Sequence, residues 1–342
     1  MRGRHINLFI VYSPLFKRVF SFITPLFYLF QYLPLFLVAR TTISKKVTLF
    51  LCFLLICLIL RGASFDHISR TLVGIWPLVF FYKLNFSITQ KNMSIFVLLV
   101  IFYGLLQRIF GFFPYELFWL ETYSNVGTGY SDHYLSRQFS VFAGAPEMCF
   151  FMCAMGYLYL KQKRYFMLGI VLLGIGLSLS RAVILSAIVT SCFIYITQRF
   201  RMSQSYFTAG LMNMFAYLAL SFGGMLIFTV GLGDGVFDIG TLMSRLAIYT
   251  EMFSDASLKE IILGPRIDAM IFDNFYLFYY NYTGIFSLLL ICLYLQIFRT
   301  FDFNVFLVGM WLGVGFYSDT QFQFFMMMNL IVLSSFYKRN GL

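Results

Sequence analysis

Residues 165–197 read YFMLGIVLLGIGLSLSRAVILSAIVTSCFIYIT, a stretch whose one charged residue is Arg181. Lys161-Gln162-Lys163-Arg164 precedes it and Arg199-Phe200-Arg201 follows it. A bilayer core takes about 20 mostly apolar residues in helical form, and in lipid an open strand would leave its backbone unsatisfied. The stretch therefore reads as two apolar runs, 165–180 and 182–197, folded back on each other at Arg181. Short basic links lie on the cytoplasmic side of a membrane, so the clusters at both ends place Arg181 on the outer side.

The rest of the chain follows the same pattern. Of its 342 residues 60% are hydrophobic and only 11% are charged, against about 25% charged in an ordinary soluble domain. Mean hydropathy is +0.82. One core cannot bury that much apolar surface from water, which excludes a soluble enzyme, a disordered chain and a disulfide scaffold. Further candidate spans are 19–39, 47–60, 71–87, 93–113, 139–160, 206–230, 275–297, 304–317 and 321–337, with 5–18 as a short or interfacial segment. The expected fold is an all-α polytopic membrane helical bundle of about eleven spans, a single integral membrane domain over 1–342. No small-residue cleavage site follows the basic start Met1-Arg2-Gly3-Arg4, so no cleaved leader is expected.

Alternation from the basic links puts Arg40–Lys46, Lys83–Lys91, Arg299 and Lys338-Arg339 inside. It leaves two longer connectors outside, 114–138 and the larger 231–274. The acids were not used to orient the chain, yet 13 of the 14 Asp and Glu fall outside and only Asp302 falls inside. The net charge of +11 is thus mainly a topology signal, and nucleic acid is not expected as a partner. In the larger loop Gly231, Gly233 and Gly235 give a flexible start, without the strand or the Lys-Ser/Thr of a phosphate-binding loop. Leu242, Leu246, Tyr249 and Phe253 then recur at the spacing of an amphipathic helix over 241–255.

Little points to metal or thiol chemistry. The six cysteines all lie in apolar stretches and read as packing residues. Cys149 and Cys153 share a helix face, but no second ligand pair accompanies them. Neither an HExxH, a CxxC nor a GxSxG pattern occurs. No metal and no cofactor are expected.

Arginine carries the stronger signal. Arg61, Arg70, Arg137, Arg181, Arg245 and Arg266 lie on or near the outer side, where Lys259 is the one lysine. Arginine costs about 2.5–3.5 kcal/mol at the centre of a membrane helix. Its guanidinium is a planar, permanently charged fork that grips phosphate oxygens two at a time. Singly, each could snorkel to headgroups or pair with an outer acid. Four of them, Arg137, Arg181, Arg245 and Arg266, border the two outer loops and suggest a shared anion site. Small residues before Arg181, Gly174 and Gly176 among them, would let helices pack closely there. Candidate bases are Asp273, Glu147 and His133. Glu147 follows Pro146 in the first turn of a span and serves either as a base or as an acid satisfying the helix dipole. Asp273 is equally well placed as an N-cap, and His133 is the one histidine of the long outer loops. Tyr276, Tyr279, Tyr280 and Tyr282 stack on substrate or form an interfacial belt.

The order of these elements resembles the bacterial O-antigen polymerases (the Wzy class) and, more distantly, the O-antigen ligases. The residues carrying it are Arg137 to Pro146, Ser180-Arg181, Ser244-Arg245 to Tyr249, Leu263-Gly264-Pro265 and Asp273-Asn274-Phe275-Tyr276 to Gly284. The ligases have a histidine near the Asn of the last element, where this chain has Asp273. The resemblance implies a glycosyltransferase of the bacterial inner membrane working at its periplasmic face. It would join repeat units carried on undecaprenyl pyrophosphate, with lipid-linked glycans as donor and acceptor and membrane lipids and a chain-length regulator protein as partners. The implied roles are Arg181 and Arg245 on the pyrophosphate, Arg137 and Arg266 on diphosphate or sugar, Asn274 and Tyr280 on substrate, and Asp273 as base or orienter. A lipid-linked oligosaccharide flippase and an O-antigen ligase are the alternatives. A flippase needs charge along a mid-membrane cavity, whereas here the span centres are apolar apart from Arg108.

Overall fold

A computed structural model describes residues 44–81, 88–114, 116–117, 140, 142, 144–229, 250, 252, 257–267, 274–316 and 324–341. Every regular element among them is helical: α1 Lys45–Leu60, α2 Phe65–Phe81, α3 Gln90–Phe110, α4 Ala145–Lys161, α5 Tyr165–Ser178, α6 Arg181–Arg199, α7 Tyr206–Thr229, α8 Leu258–Leu263, α9 Phe275–Thr283, α10 Phe286–Thr300, α11 Val305–Val314 and α12 Phe324–Arg339. By length and composition α3 and α6 are long and apolar enough to cross a membrane, and α5, α10 and α11 are shorter apolar helices. The candidate spans 5–18 and 19–39 lie outside the described residues. So does the amphipathic stretch 241–255, apart from residues 250 and 252.

The chain forms two compact units. The first holds Phe80–Leu185 and the C-terminal helix. At its centre is α4, buried on nearly every side from Glu147 to Leu158. Glycines let its neighbours approach. A Cβ on Gly174 of α5 would lie 3.0 Å from the Met152 sulfur and 3.1 Å from Ile101, whereas Gly176 faces open space. Of the two small residues expected to promote packing here, only Gly174 does so. Leu179 and Ser180 alone separate α5 from α6. Leu179 turns the chain in the left-handed region, at φ 45°.

The chain is tied together at the two ends of the 114–138 connector. Gln107 Nε2 donates to the Glu116 carboxylate at 2.7 Å, just after α3 ends. Gln107 Oε1 accepts from the Ser140 backbone N–H at 2.8 Å, where the chain returns. One buried amide thus fastens both ends of the connector. From α12, the Tyr337 hydroxyl donates to the Ala154 carbonyl.

The second unit holds Ser44–Val79 and Ser186–Phe324. Its packing combines small residues with buried amides. Asn213 of α7, 1% exposed, donates to Thr190 Oγ1 of α6 at 3.1 Å and to the Gly309 carbonyl of α11 at 3.4 Å. Gly309 and Gly313 make room: a Cβ on Gly309 would lie 2.6 Å from Thr190. Phe275, Tyr294, Phe298 and Trp311 form an aromatic core, with Trp311 edge-on to Phe275 and Phe298 at 5.5 and 5.1 Å.

One expected span is two helices. The 275–297 segment breaks at Gly284, where φ is +54°. In a continuous helix Ile285 N–H would bond to the Asn281 carbonyl. Here that carbonyl accepts from Arg266 N–H at 3.1 Å, and Ile285 N–H goes to the Ile261 carbonyl at 3.1 Å. The larger outer loop has inserted its own backbone into the ladder, a competition that hydropathy cannot register. Two further expectations shift. The span read at 71–87 begins earlier, as α2 from Phe65, which draws His67 into its first turn. The N-cap of α9 is Asn274, not Asp273: its Oδ1 accepts from Tyr276 and Leu277 N–H.

Apolar side chains fill the interior of both units, and apolar side chains also cover much of the exposed surface. Large apolar side chains stand exposed on most helices, among them Phe166 at 82% and Leu60 at 79%. Ser186, Thr190, Asn213, Asn281 and Asn329 meanwhile lie inside.

Candidate functional site

The Leu-Gly-Pro-Arg segment owes its shape to a short capped helix. Ser257 opens α8 by accepting from Glu260 N–H, and the Glu260 carboxylate reaches back to Ser257 N–H at 2.7 Å, a capping box. Those hydrogen bonds from Ser257 hold Glu260 below the usual carboxylate range. The helix stops at Gly264, whose φ is +93° and whose Cα lies flat on the 280–281 backbone, where a Cβ would strike the Asn281 carbonyl. Opposite it, a Cβ on Gly284 would strike the Ile262 carbonyl and lie 2.6 Å from Gly264 N. The glycines of two separate sequence elements, Leu263-Gly264-Pro265 and the Gly284 that ends the Asp273–Tyr276 element, are thus packed backbone on backbone.

Arg266 follows in the left-handed region, at φ 61°, a conformation that costs a non-glycine residue of order 1–3 kcal/mol and persists only when its surroundings hold it. Here Arg266 N–H bonds to the Asn281 carbonyl. The Asn281 side-chain amide also clamps Ile267, accepting from its N–H at 2.8 Å and donating to its carbonyl at 2.9 Å. Asn281, to which the sequence gave no role, thus fixes the backbone on both sides of Arg266.

Arg61 meets this segment from the end of α1. It is the C-cap, and its Nη2 donates to the Gly264 carbonyl at 2.8 Å. Gly62 beside it is bare and at φ +68°; a Cβ there would lie 2.6 Å from Arg266 Nη2. The guanidinium of Arg266 therefore lies over the backbone next to Arg61. Burial, and then the positive charge of Arg266, push Arg61 below the ordinary arginine value. Arg61 Nε is buried without a hydrogen-bond partner among the described residues. Two like charges 4 Å apart repel by about 1 kcal/mol in water and about 4 kcal/mol in a surface-like dielectric. An anion between them would turn that cost into attraction and supply an acceptor.

His67 joins the same turn of α9. Its Nδ1 is 2.5 Å from the Tyr282 hydroxyl, and its ring stands edge-on to Phe278 and Tyr282 at 5.2 and 5.6 Å. Asn281, which receives Arg266, and Tyr282, which receives His67, are consecutive. The Arg266 backbone and the His67 ring are thus anchored on consecutive residues of α9.

Among the expected site residues, Arg266 stands in this cluster. Tyr280 is half-buried, with its carbonyl accepting from Gly284 N–H at 2.8 Å. Asn274 is committed to structure, because besides capping α9 it donates to the Phe316 carbonyl at 3.3 Å. Tyr276, Tyr279 and Tyr282 do not form a surface belt. The Tyr276 hydroxyl donates to the Leu312 carbonyl at 2.7 Å, and Tyr279 contacts the Tyr294 hydroxyl at 3.2 Å. In the first unit, Arg181 is exposed at the start of α6. Glu147 sits in the first turn of α4 with Pro146, its carboxyl fully buried; a Cβ on Gly144 would lie 2.7 Å from its Oε2. Arg137, Arg245, His133 and Asp273 lie outside the described residues. The sequence counted Arg61 among the outer arginines without giving it a role, and it passed over His67. The clue was there: Arg61-Gly62 ends one apolar run as Pro265-Arg266 ends another loop.

No known protein family, curated protein or solved structure matches the chain.

Proposed function

We propose that this chain is a multi-pass glycosyltransferase of the bacterial inner membrane, of the O-antigen polymerase type, joining undecaprenyl-pyrophosphate-linked repeat units at the periplasmic face. The observation that carries the reading is the Arg61–Arg266 pair. Two guanidiniums held together against their repulsion suit a doubly charged phosphate group. The membrane placement of about eleven spans rests on the hydropathy pattern, and the exposed apolar side chains around buried amides support it. Lipid solvates such a surface at no cost.

The reaction follows from the charges. A hydroxyl of the acceptor repeat unit attacks the anomeric carbon of the donor glycan. The glycosidic bond forms as the bond to the pyrophosphate oxygen breaks, and the electron pair leaves with the undecaprenyl pyrophosphate. Arg61 and Arg266 stabilise the charge developing on that leaving group. The attacking hydroxyl loses its proton to a base, for which Asp273 follows from the resemblance and His67 from its anchoring beside Arg266. Arg137, Arg181 and Arg245 remain candidate phosphate ligands by the resemblance alone.

The test is the surface glycan of a deletion strain. The proposal expects lipopolysaccharide capped with a single repeat unit, and a full ladder on complementation. A repeat unit stranded on the cytoplasmic leaflet would indicate a flippase, and unattached long polymer would indicate a ligase. Either result overturns the reading.

A further inference from the structure

The cytoplasmic end of the second unit carries a groove unrelated to the arginine pair. It lies between α1 and α10 and encloses about 360 Å³, within the range of small-ligand sites. Leu49 and Phe53 of α1 and Leu293 and Ile297 of α10 form its walls. Phe50, edge-on to the buried Tyr294 at 4.8 Å, forms its floor. The interior is mainly apolar; of the polar groups, Lys46 and Thr300 come from the end of each helix that the charge pattern places in the cytoplasm, and Gln296 lies one turn further in.

Lys45 and Lys46 open α1, where the helix dipole is positive, and the first turn contains no acid. Cations at that position are disfavoured, and an anion is favoured. An apolar trench with a cation at its cytoplasmic mouth matches an amphiphile with a hydrocarbon tail and a negative head. We infer that the α1–α10 groove binds an anionic phospholipid of the inner leaflet, one acyl chain lying along Phe50 and Phe53 and the phosphate on Lys46. The α1 helix runs from this groove to Arg61 at its other end, so lipid bound here would brace the helix that carries half of the arginine pair.

The inference rests on the membrane placement proposed above, and the experiment separates the two. The purified chain is reconstituted in nanodiscs of phosphatidylethanolamine with phosphatidylglycerol, and lipid retained on gentle release is read by native mass spectrometry. Retained phosphatidylglycerol enriched over its share of the disc is the expected result. Lys46→Glu should lower that enrichment at least about fivefold, the effect of losing one basic residue, with the added negative charge lowering it further. Phe53→Asn, which keeps the charge and spoils the wall, should lower total retained lipid. Enrichment unchanged in Lys46→Glu, equal retention of both lipids by the wild type, or displacement of both by a prenyl phosphate overturns the groove assignment. A chain extracted from its native membranes by alkaline carbonate overturns the membrane placement instead, and the groove assignment with it.

Discussion

Arg61 donates to the carbonyl of Gly264 across 203 positions of sequence, and that single hydrogen bond brings it to Arg266. The two residues come from different connectors, one after α1 and one before α9. What joins them is a chain of backbone contacts: Gly264 on Asn281, Arg266 on Asn281, and Gly284 against Ile262. The site is built by the break between α9 and α10, which exists because the loop takes over its hydrogen bonds.

Arg266→Gly should separate stability from function. Glycine accepts the left-handed backbone, and the substitution removes a repelling charge, so thermal stability should rise by the equivalent of about 1 kcal/mol. Polymerisation should fall at least about tenfold, the loss of one charge-assisted contact. A variant that loses stability, or that makes full ladders at normal protein level, contradicts the role given to Arg266.

Alanine at Gly264 or Gly284 should be poorly tolerated. Both positions have positive φ, and both would drive a Cβ into backbone atoms. A loss above about 2 kcal/mol, or failure to accumulate folded protein, is expected for each. Gly169 and Gly176 face open space and provide the control: alanine there should be neutral or stabilising by up to about 1 kcal/mol. Unfolding curves of the four variants in one detergent make the comparison.

Asn213→Leu removes the amide linking α6, α7 and α11. Interhelical hydrogen bonds of this kind average about 0.6 kcal/mol and reach about 1.7 in membranes, and the larger side chain adds strain beside Gly313. A loss of about 1–3 kcal/mol is expected, read as a lower unfolding midpoint.

The capping box gives a pH dependence with a defined sign. Glu260 is held below the usual carboxylate range by Ser257. Its contribution to α8 is therefore fully present above the unfolded carboxylate value and is lost as pH falls through the lowered folded value. Ser257→Ala should open the 258–264 segment at neutral pH, and the difference from wild type should shrink in acid. Hydrogen exchange of that segment, with the two proteins compared at each pH, reads it.

Much of the helical frame was legible because hydropathy and basic links act locally. The runs 165–180, 182–197 and 206–230 became α5, α6 and α7 within a residue or two, and the first two part at Leu179-Ser180, just before Arg181. The α9–α10 break was marked locally only by Asn281 and Gly284, which the continuous apolar run overrode. The loop that takes over the hydrogen bonds of Asn281 and Ile285 lies too far along the chain for any local pattern to show. The site was half legible. Arg266 stood out as an outer arginine after Gly-Pro, but its partner could not be chosen among several, because pairing depends on Gly62 and Gly264 leaving room for the guanidiniums. Local propensity also gave no reason to prefer Asn274 over Asp273 as the cap, as both cap well.

The most direct measurement is transfer by the purified chain in nanodiscs supplied with an undecaprenyl-pyrophosphate-linked repeat unit. The account predicts one undecaprenyl pyrophosphate released for each new glycosidic bond, and release reduced at least about a hundredfold in Arg61→Ala/Arg266→Ala protein that is still folded. Glycan joined without release of the carrier, or release undiminished in the double variant, would contradict it.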